Sequence, residues 1–152
     1  TCKWPNDLRI GGAKVSGILL ESGARPDGGL DHLIIGTGIN VRFVPDGATE
    51  RYPATCLADY GQDDPDAVAA AYLRHLADWC ARFAADGFAP VRSAWLDRAE
   101  GLGAAITVRL GREELQGRFR DFGHDGALML ERPDGTVRPV VSGEIVQTVP
   151  AG

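Results

Sequence analysis

Hydrophobic positions along the chain change their period twice. Over the first forty residues, short apolar runs alternate with turn-forming clusters. Val15 to Leu20 and Leu33 to Ile35 are continuous and rich in branched residues, which predicts buried strands. Leu8-Arg9-Ile10, a Gly11-Gly12 turn and Lys14 to Glu21 predict a hairpin over 8–22. Ser22 to Gly29 holds Gly23, Pro26, Gly28 and Gly29 and reads as a surface loop, with Leu30 to Ile35 as the next strand. Gly36-Thr37-Gly38 then allows a close approach to the backbone. Residues 43–62, with Pro45, Gly47, Pro53 and Gly61, read as mainly irregular, with a short strand or turn at Ala54 to Leu57.

The second stretch is helical. Asp64 can cap a helix, Pro65 suits its first position, and Asp66 complements its dipole. Val68, Tyr72, Leu76, Trp79 and Phe83 recur at spacings of three and four, which predicts one apolar face packed on the sheet. Asp86-Gly87 ends this helix, and Pro90 to Ala99 predicts a second, with Val91, Ala94 and Trp95 on its buried side. Tyr72, Trp79 and Trp95 are expected in the core, not as a stacking platform. After Gly101-Leu102-Gly103 the period becomes two. Ala105 to Leu110, Glu114 to Phe119, Ala127 to Glu131, Thr136 to Val141 and Glu144 to Val149 predict five short strands and a small barrel.

Composition removes several functions. The chain has 152 residues and a formal charge of −5, which argues against nucleic acid as its partner. It has neither the run of about 18 apolar residues that spans a membrane nor an opening secretory pattern. Cys2, Cys56 and Cys80 lack ligand spacing and fit reduced thiols filling space in a cytoplasmic protein. His32, His75 and His124 share no metal-ligand spacing. Gly111-Arg112 and Gly117-Arg118 lie in separate alternating segments and do not make one phosphate loop. The absence of an initiator Met, with a distinctive cluster beginning at the third residue, leads us to expect the C-terminal part of a larger protein.

That cluster is Lys3-Trp4-Pro5-Asn6-Asp7. Lys3 offers a compact charge on a flexible stem, suited to bridging two anions, while Trp4 and Pro5 restrain the backbone that presents it. Asn6 and Asp7 can form a turn through their own backbone; Asp7 is also a candidate aid to a nucleotide-bound Mg²⁺. Gly17 within a bulky strand marks close approach by a ligand or by another strand. Lys14 is either a phosphate contact or a surface lysine. Asn40 carries an amide donor and acceptor, the complement of adenine's N6 and N7 edge; the alternative is a strand-end turn residue.

Three segments, Lys3 to Asp7, Gly17-Ile18-Leu19-Leu20-Glu21 and Gly36-Thr37-Gly38-Ile39-Asn40, resemble in order and spacing the biotin protein ligases. The likeness is specific over Lys3 to Asn40 and looser through Gly103. It implies an α/β (α+β) fold: part of a class II synthetase-like ligase catalytic core over 1–102, its sheet backed by both helices, then an SH3-like β-barrel over 103–152. It also implies an ATP-dependent ligase that forms biotinyl-AMP and transfers biotin to a lysine of a carrier protein. Lys3 would contact the carboxyl and phosphate region. Ser16, Gly17, Ile18 and Leu19 would line the biotin pocket, with backbone donors and an apolar wall. Asn40 would read adenine, and Arg42, Phe43 and Val44 would begin a lid over the adenylate. The implied ligands are biotin, ATP and Mg²⁺. The implied partners are a biotin carboxyl carrier domain and the N-terminal half of the same protein, with a homodimer left open. Such ligases also use a Gly/Arg-rich loop upstream of the lysine motif, and an upstream helix-turn-helix would add repression. A lipoate ligase and a non-catalytic module that binds adenylate or carrier remain alternatives.

Overall fold

The computed structural model describes residues 1–44, 46, 48–49 and 53–149. In chain order the elements are β1 (Cys2–Lys3), β2 (Asp7–Ile10), β3 (Ala13–Ala24), β4 (Leu30–Ile39), a 3-10 turn (Leu57–Tyr60), α1 (Pro65–Asp86) and α2 (Ala89–Leu96). They continue with β5 (Ala105–Leu110), β6 (Glu113–Phe122), β7 (Leu128–Glu131), β8 (Val137–Val140) and β9 (Glu144–Val149). Two compact units result: Asn6–Val68, and Thr1–Pro5 together with the chain from Ala69 onward.

In the first unit β2, β3 and β4 form an antiparallel meander. Gly11 and Gly12 both take positive φ (56° and 82°), as a two-residue hairpin turn requires, and set Ile10 opposite Ala13. Strands β3 and β4 pair from Ser16↔Ile39 to Ala24↔Leu30, longer than the apolar runs predict. The ladder is made by backbone groups, so Glu21 to Ala24 continue it without large apolar side chains, and Gly23 leaves room for the His32 ring opposite. The loop shrinks to Arg25–Gly29, closed by Arg25 N donating to Gly29 O at 2.7 Å. Both predicted strands exist, but their burial is confined to one end. Val15 is buried, whereas Leu19 is 63% exposed and Ile34 54%. Continuous apolar character expects a cover on each face, and over that end none lies among the described residues.

Helix α1 begins as expected: Asp64 Oδ1 accepts from Asp66 N at 3.0 Å and Ala67 N at 3.3 Å, and Gly87 ends it with φ +70°. Its predicted face is the least exposed one, yet none of its residues is buried and Phe83 is exposed. Tyr72 and Trp79 are therefore half-buried residues and not core; the Arg82 guanidinium lies 5.0 Å from the Trp79 ring.

Helix α2 belongs to the C-terminal unit and packs against its strand β6. Trp95 packs edge-on against Phe122 at 4.2 Å and tilted against Phe119 at 6.3 Å. Arg92 donates to Asp121 Oδ1 at 2.6 Å and Phe122 O at 2.8 Å. The helix stops at Leu96, short of Ala99, because the next residues pair with Cys2: Cys2 N donates to Arg98 O at 2.8 Å and Glu100 N to Cys2 O at 2.9 Å.

The five predicted C-terminal strands form one antiparallel sheet in the order β8-β7-β6-β5-β9. Alternation sends Ile106 and Val108 of β5, Leu115 and Phe119 of β6, and Leu128 and Leu130 of β7 into a single core, with Val140 and Ile145. Trp4 is a member of the same core at 5% exposure. Gly117 lies inside β6, where an added Cβ would stand 2.5 Å from Glu131 O and 2.8 Å from Leu130 Cγ. Gly117→Ala must push strand β7 away, and we expect a loss of about 1–3 kcal/mol. Chemical denaturation checks this; a variant as stable as the parent would show that the strand pair gives way freely.

Candidate functional site

The antiparallel register of β3 and β4 sets Gly17 opposite Gly38 and Leu19 opposite Gly36. Side chains alternate along a strand, so Gly17, Gly36 and Gly38 share one face and leave it as bare backbone. A Cβ on Gly36 would meet Leu19 O at 3.6 Å, and one on Gly38 would meet Gly17 O at 3.9 Å. Over this floor lies an open cleft of about 500 Å³, walled by Asn6, Lys14, Ile18, Leu19 and Thr37.

Two side chains shape the cleft in ways sequence reasoning left open or missed. Lys14 Nζ pairs with Asp7 Oδ1 at 2.5 Å, and both lie over Gly17: a Cβ there would be 3.0 Å from Nζ and 3.5 Å from Oδ1. Gly17 thus makes room for the chain's own ion pair, and Lys14 carries its charge into the cleft. The signal was present, a lysine and a glycine on one hairpin, but their contact depends on the bulge between Leu8 and Arg9. Asn6 does not fold back on its own backbone. Its Nδ2 donates to Ile18 O at 2.7 Å and its O accepts from Ile18 N at 3.0 Å, so both backbone groups of Ile18 are occupied. Ile18 supplies wall and no free donor.

Ser16 does not join this face. It lies on the opposite side of β3 from Gly17, is 4% exposed, and its Oγ has no hydrogen-bond partner among the described residues. Such a hydroxyl costs about 1–3 kcal/mol unless a partner reaches it.

A second cleft of about 490 Å³ begins where β4 ends, lined by Ile39, Asn40, Val41, Arg42, Phe43, Val44 and Pro65. The structure therefore brings Asn40 together with Arg42, Phe43 and Val44; Pro45 and Gly47 of the same stretch lie outside the described residues. Asn40 is firmly held. Its Nδ2 donates to Thr55 O at 3.0 Å and, more weakly, Lys14 O at 3.4 Å, and its backbone bonds Val15 O and Leu57 N. Ala58 N donates to Val41 O at 2.8 Å and Arg42 Nε to Asp63 O at 2.8 Å, so residues 53–63 form a strap along this strand end. Phe43 is 81% exposed. The Ala54–Leu57 stretch, read as strand or turn, is a single bridge to Lys14 followed by the 3-10 turn.

Lys3 belongs to the C-terminal unit. It ends β1, is partly exposed, and stands between Cys2, bound on both sides to Arg98 and Glu100, and buried Trp4. Burial pushes the Cys2 thiol up from its ordinary value. All three cysteines are free thiols; Cys56 is buried, whereas Cys80 is exposed and fills no space. Among the described residues no group of three His, Cys, Asp or Glu could hold a metal ion, and no helix is long and apolar enough to cross a membrane.

Residues 1–97 match the biotin/lipoate A/B protein ligase family, and residues 101–146 match the biotin protein ligase C-terminal domain. The biotin--[acetyl-CoA-carboxylase] ligase of Paracoccus denitrificans is 40% identical over 139 residues, covering 88% of this chain and 57% of the relative. The bifunctional ligase/repressor BirA of Escherichia coli is 33% identical over 146 residues, covering 94% of this chain and 44% of the relative. The chain thus spans about half the length of these relatives. The apo structure of biotin protein ligase from Aquifex aeolicus superposes with a TM-score of 0.78 at 26% identity, covering 99% of this chain and 65% of that one. The structure of the same enzyme in complex with biotin and ATP gives 0.74 at 26% identity, covering 95% and 60%.

The strap carries one titratable link. Asp59 accepts from Thr55 Oγ1 at 3.0 Å and from Cys56 N at 3.5 Å, and these bonds hold its carboxyl below the ordinary aspartate range. A carboxyl lowered in the folded state contributes fully above its unfolded value, about pH 4, and the contribution is lost as pH falls through the lower folded value. Amide exchange at Leu57 and Ala58, corrected for intrinsic rates, should therefore accelerate below pH 4 and in Asp59→Asn. Protection indifferent to both changes would mean that the strap does not depend on Asp59.

Proposed function

The chain belongs to the biotin protein ligases of the biotin/lipoate A/B protein ligase family, and on that premise we propose that it carries much of the active site of an ATP-dependent biotin–[biotin carboxyl carrier protein] ligase. The observation that supports this reading most is the succession of two clefts along β4, the first floored by glycines and the second headed by Asn40. Biotin takes the first, its ring and valeryl chain lying on the bare backbone beside Gly17, Ile18 and Leu19. The adenine of ATP takes the second. Asn40 Nδ2 is held by Thr55, so Oδ1 accepts from adenine's exocyclic amine, in place of a two-bond contact. Ser16 Oγ, on the other face, needs a partner and serves the pocket wall from behind.

The reaction has two steps. The biotin carboxylate attacks the α-phosphorus; a new O–P bond forms, the bond to the β-phosphate bridging oxygen breaks, and pyrophosphate leaves. The carrier's lysine amine then attacks the acyl carbon, loses its proton, and AMP leaves with the former carboxylate oxygen. The first step joins two anions, and a fixed cation between them lowers its barrier most. Lys3 is assigned to that position by the Lys-Trp-Pro-Asn-Asp motif. Lys14, tied to Asp7, brings a hydrogen-bonding ion pair with no net charge to the biotin cleft. Phe43, with Arg42 and Val44, closes over the adenylate and keeps water from the mixed anhydride. A magnesium ion would be held by the phosphates of ATP and would offset their charge. Asp7 alone, already paired with Lys14, does not fit an all-protein magnesium site.

In the family's terms, residues 1–102 belong to the catalytic domain and 103–152 to the SH3-like domain, a division supported by the match over 101–146. That match also favours a biotin over a lipoate ligase. The contacts to biotin's ring that these clefts lack are assigned to the part of such ligases outside the aligned stretch. Transfer to a carrier domain and action in the cytoplasm belong to the same proposal, and a homodimer is left open.

Biotin-dependent exchange of pyrophosphate into ATP by the full-length protein tests the reading. The unaltered protein should exchange with biotin and not with lipoate. Lys3→Ala should lower the rate on the order of 10²-fold or more while melting unchanged. A protein that exchanges with neither acid, or a Lys3→Ala variant at the parent rate, would overturn it.

A further inference from the structure

We propose that Trp4 is a positioning residue for Lys3: its indole, buried in the core of the C-terminal β unit, fixes the backbone from which the Lys3 ammonium is presented. The inference rests on the role assigned to Lys3 above and extends it to a part of the chain far away in sequence.

Of residues 1–5, Trp4 alone is buried. Strand β1 is only Cys2–Lys3, too short to be stable by its own pairing. On one side of Lys3, Cys2 makes a single parallel bridge to Ala99, through Cys2 N to Arg98 O at 2.8 Å and Glu100 N to Cys2 O at 2.9 Å. On the other side, Trp4 is 5% exposed and clusters with Ile106, Val108, Phe119, Leu128 and Ile145. Trp95, Leu96 and Ala99 pack against the same cluster, so the segment that pairs with Cys2 is itself seated on the core that holds Trp4. Both neighbours of Lys3 are thereby held within the unit to which Lys3 itself belongs. A large, nearly buried ring tolerates little displacement in a close-packed interior, unlike a pair of backbone bonds at the edge of a short strand.

Position matters here because the charge to be neutralised is confined to the forming O–P bond. A cation displaced by about 1 Å can cost on the order of 10²-fold in rate. A core residue that only stabilised the fold would act differently. Its loss would lower the melting temperature and leave the rate per folded molecule unchanged.

The test compares Trp4→Ala, Trp4→Leu and Trp4→Phe in the full-length protein with Lys3→Ala and Val140→Ala, by biotin-dependent pyrophosphate exchange below every melting temperature. Val140 lies in the same core, on β8, and serves as the control for destabilisation alone. Trp4→Ala should lower kcat on the order of 10²-fold with KM for biotin and ATP unchanged. Trp4→Phe should recover most of that loss, and Val140→Ala should melt earlier with its kcat intact. If Trp4→Ala does not fold, Trp4→Leu carries the comparison. Folded Trp4 variants with the parent kcat, beside an inactive Lys3→Ala, would overturn the positioning role while leaving the ligase reading in place. An equal loss of kcat in Val140→Ala would also overturn it, by showing a general effect of core packing. A fully active Lys3→Ala would instead remove the role of Lys3, on which the inference rests.

Discussion

The register between β3 and β4 is the constraint on which the site depends. It sets Gly17 opposite Gly38 and Leu19 opposite Gly36, so three positions without side chains meet on one face. A slip of β4 by one residue would turn Gly36 and Gly38 to the other face and put branched side chains in their place. What holds the register lies around the strands. Asn6 grips both backbone groups of Ile18 from one side, and Asn40, Thr55 and Lys14 tie the far end of β4 to the strap. The two asparagines act first as backbone struts, and their place in the site follows from that.

Local chemistry was legible. The Gly11-Gly12 turn, the Asp64-Pro65 helix start and the Gly87 stop, and the five C-terminal strands all depend on residues close in sequence, and each lies where the pattern predicts it. The Lys-Trp-Pro-Asn-Asp motif and the glycines near residues 17 and 36–38 were legible as well. Burial was not, because the apolar runs of β3 and β4 describe what a strand can bury and not what covers it; Leu19 and Ile34 are open. Long-range pairing was equally hidden. Helix α2 ends early because Arg98 and Glu100 bond Cys2, and no window around residue 97 contains that information.

The same limit explains the roles that changed. Asn40 reads as a free donor and acceptor in isolation, yet Thr55 and Lys14 take its amide hydrogens. Gly17 reads as a gap for a ligand, and a lysine three residues earlier fills part of it. Trp4 reads as a local brace for Lys3, whereas its ring is part of a core built mainly from residues beyond 104. In each case the residue type was informative and its partner was set by topology. The C-terminal unit is accordingly more than an appendage to the chain: its core buries the residue next to the motif's lysine.

The central claim is that two successive clefts along β4 divide the substrates, biotin over the glycine floor and adenine beyond Asn40. Amide chemical-shift mapping of the isotope-labelled full-length protein tests it most directly, with biotin and a non-hydrolysable ATP analogue added separately. Biotin should move the amides of Gly17, Leu19, Gly36 and Gly38, and the nucleotide those of Asn40, Val41 and Phe43. Shifts from both ligands confined to the C-terminal sheet, or biotin shifts clustered at Asn40 with none at the glycines, would contradict the account.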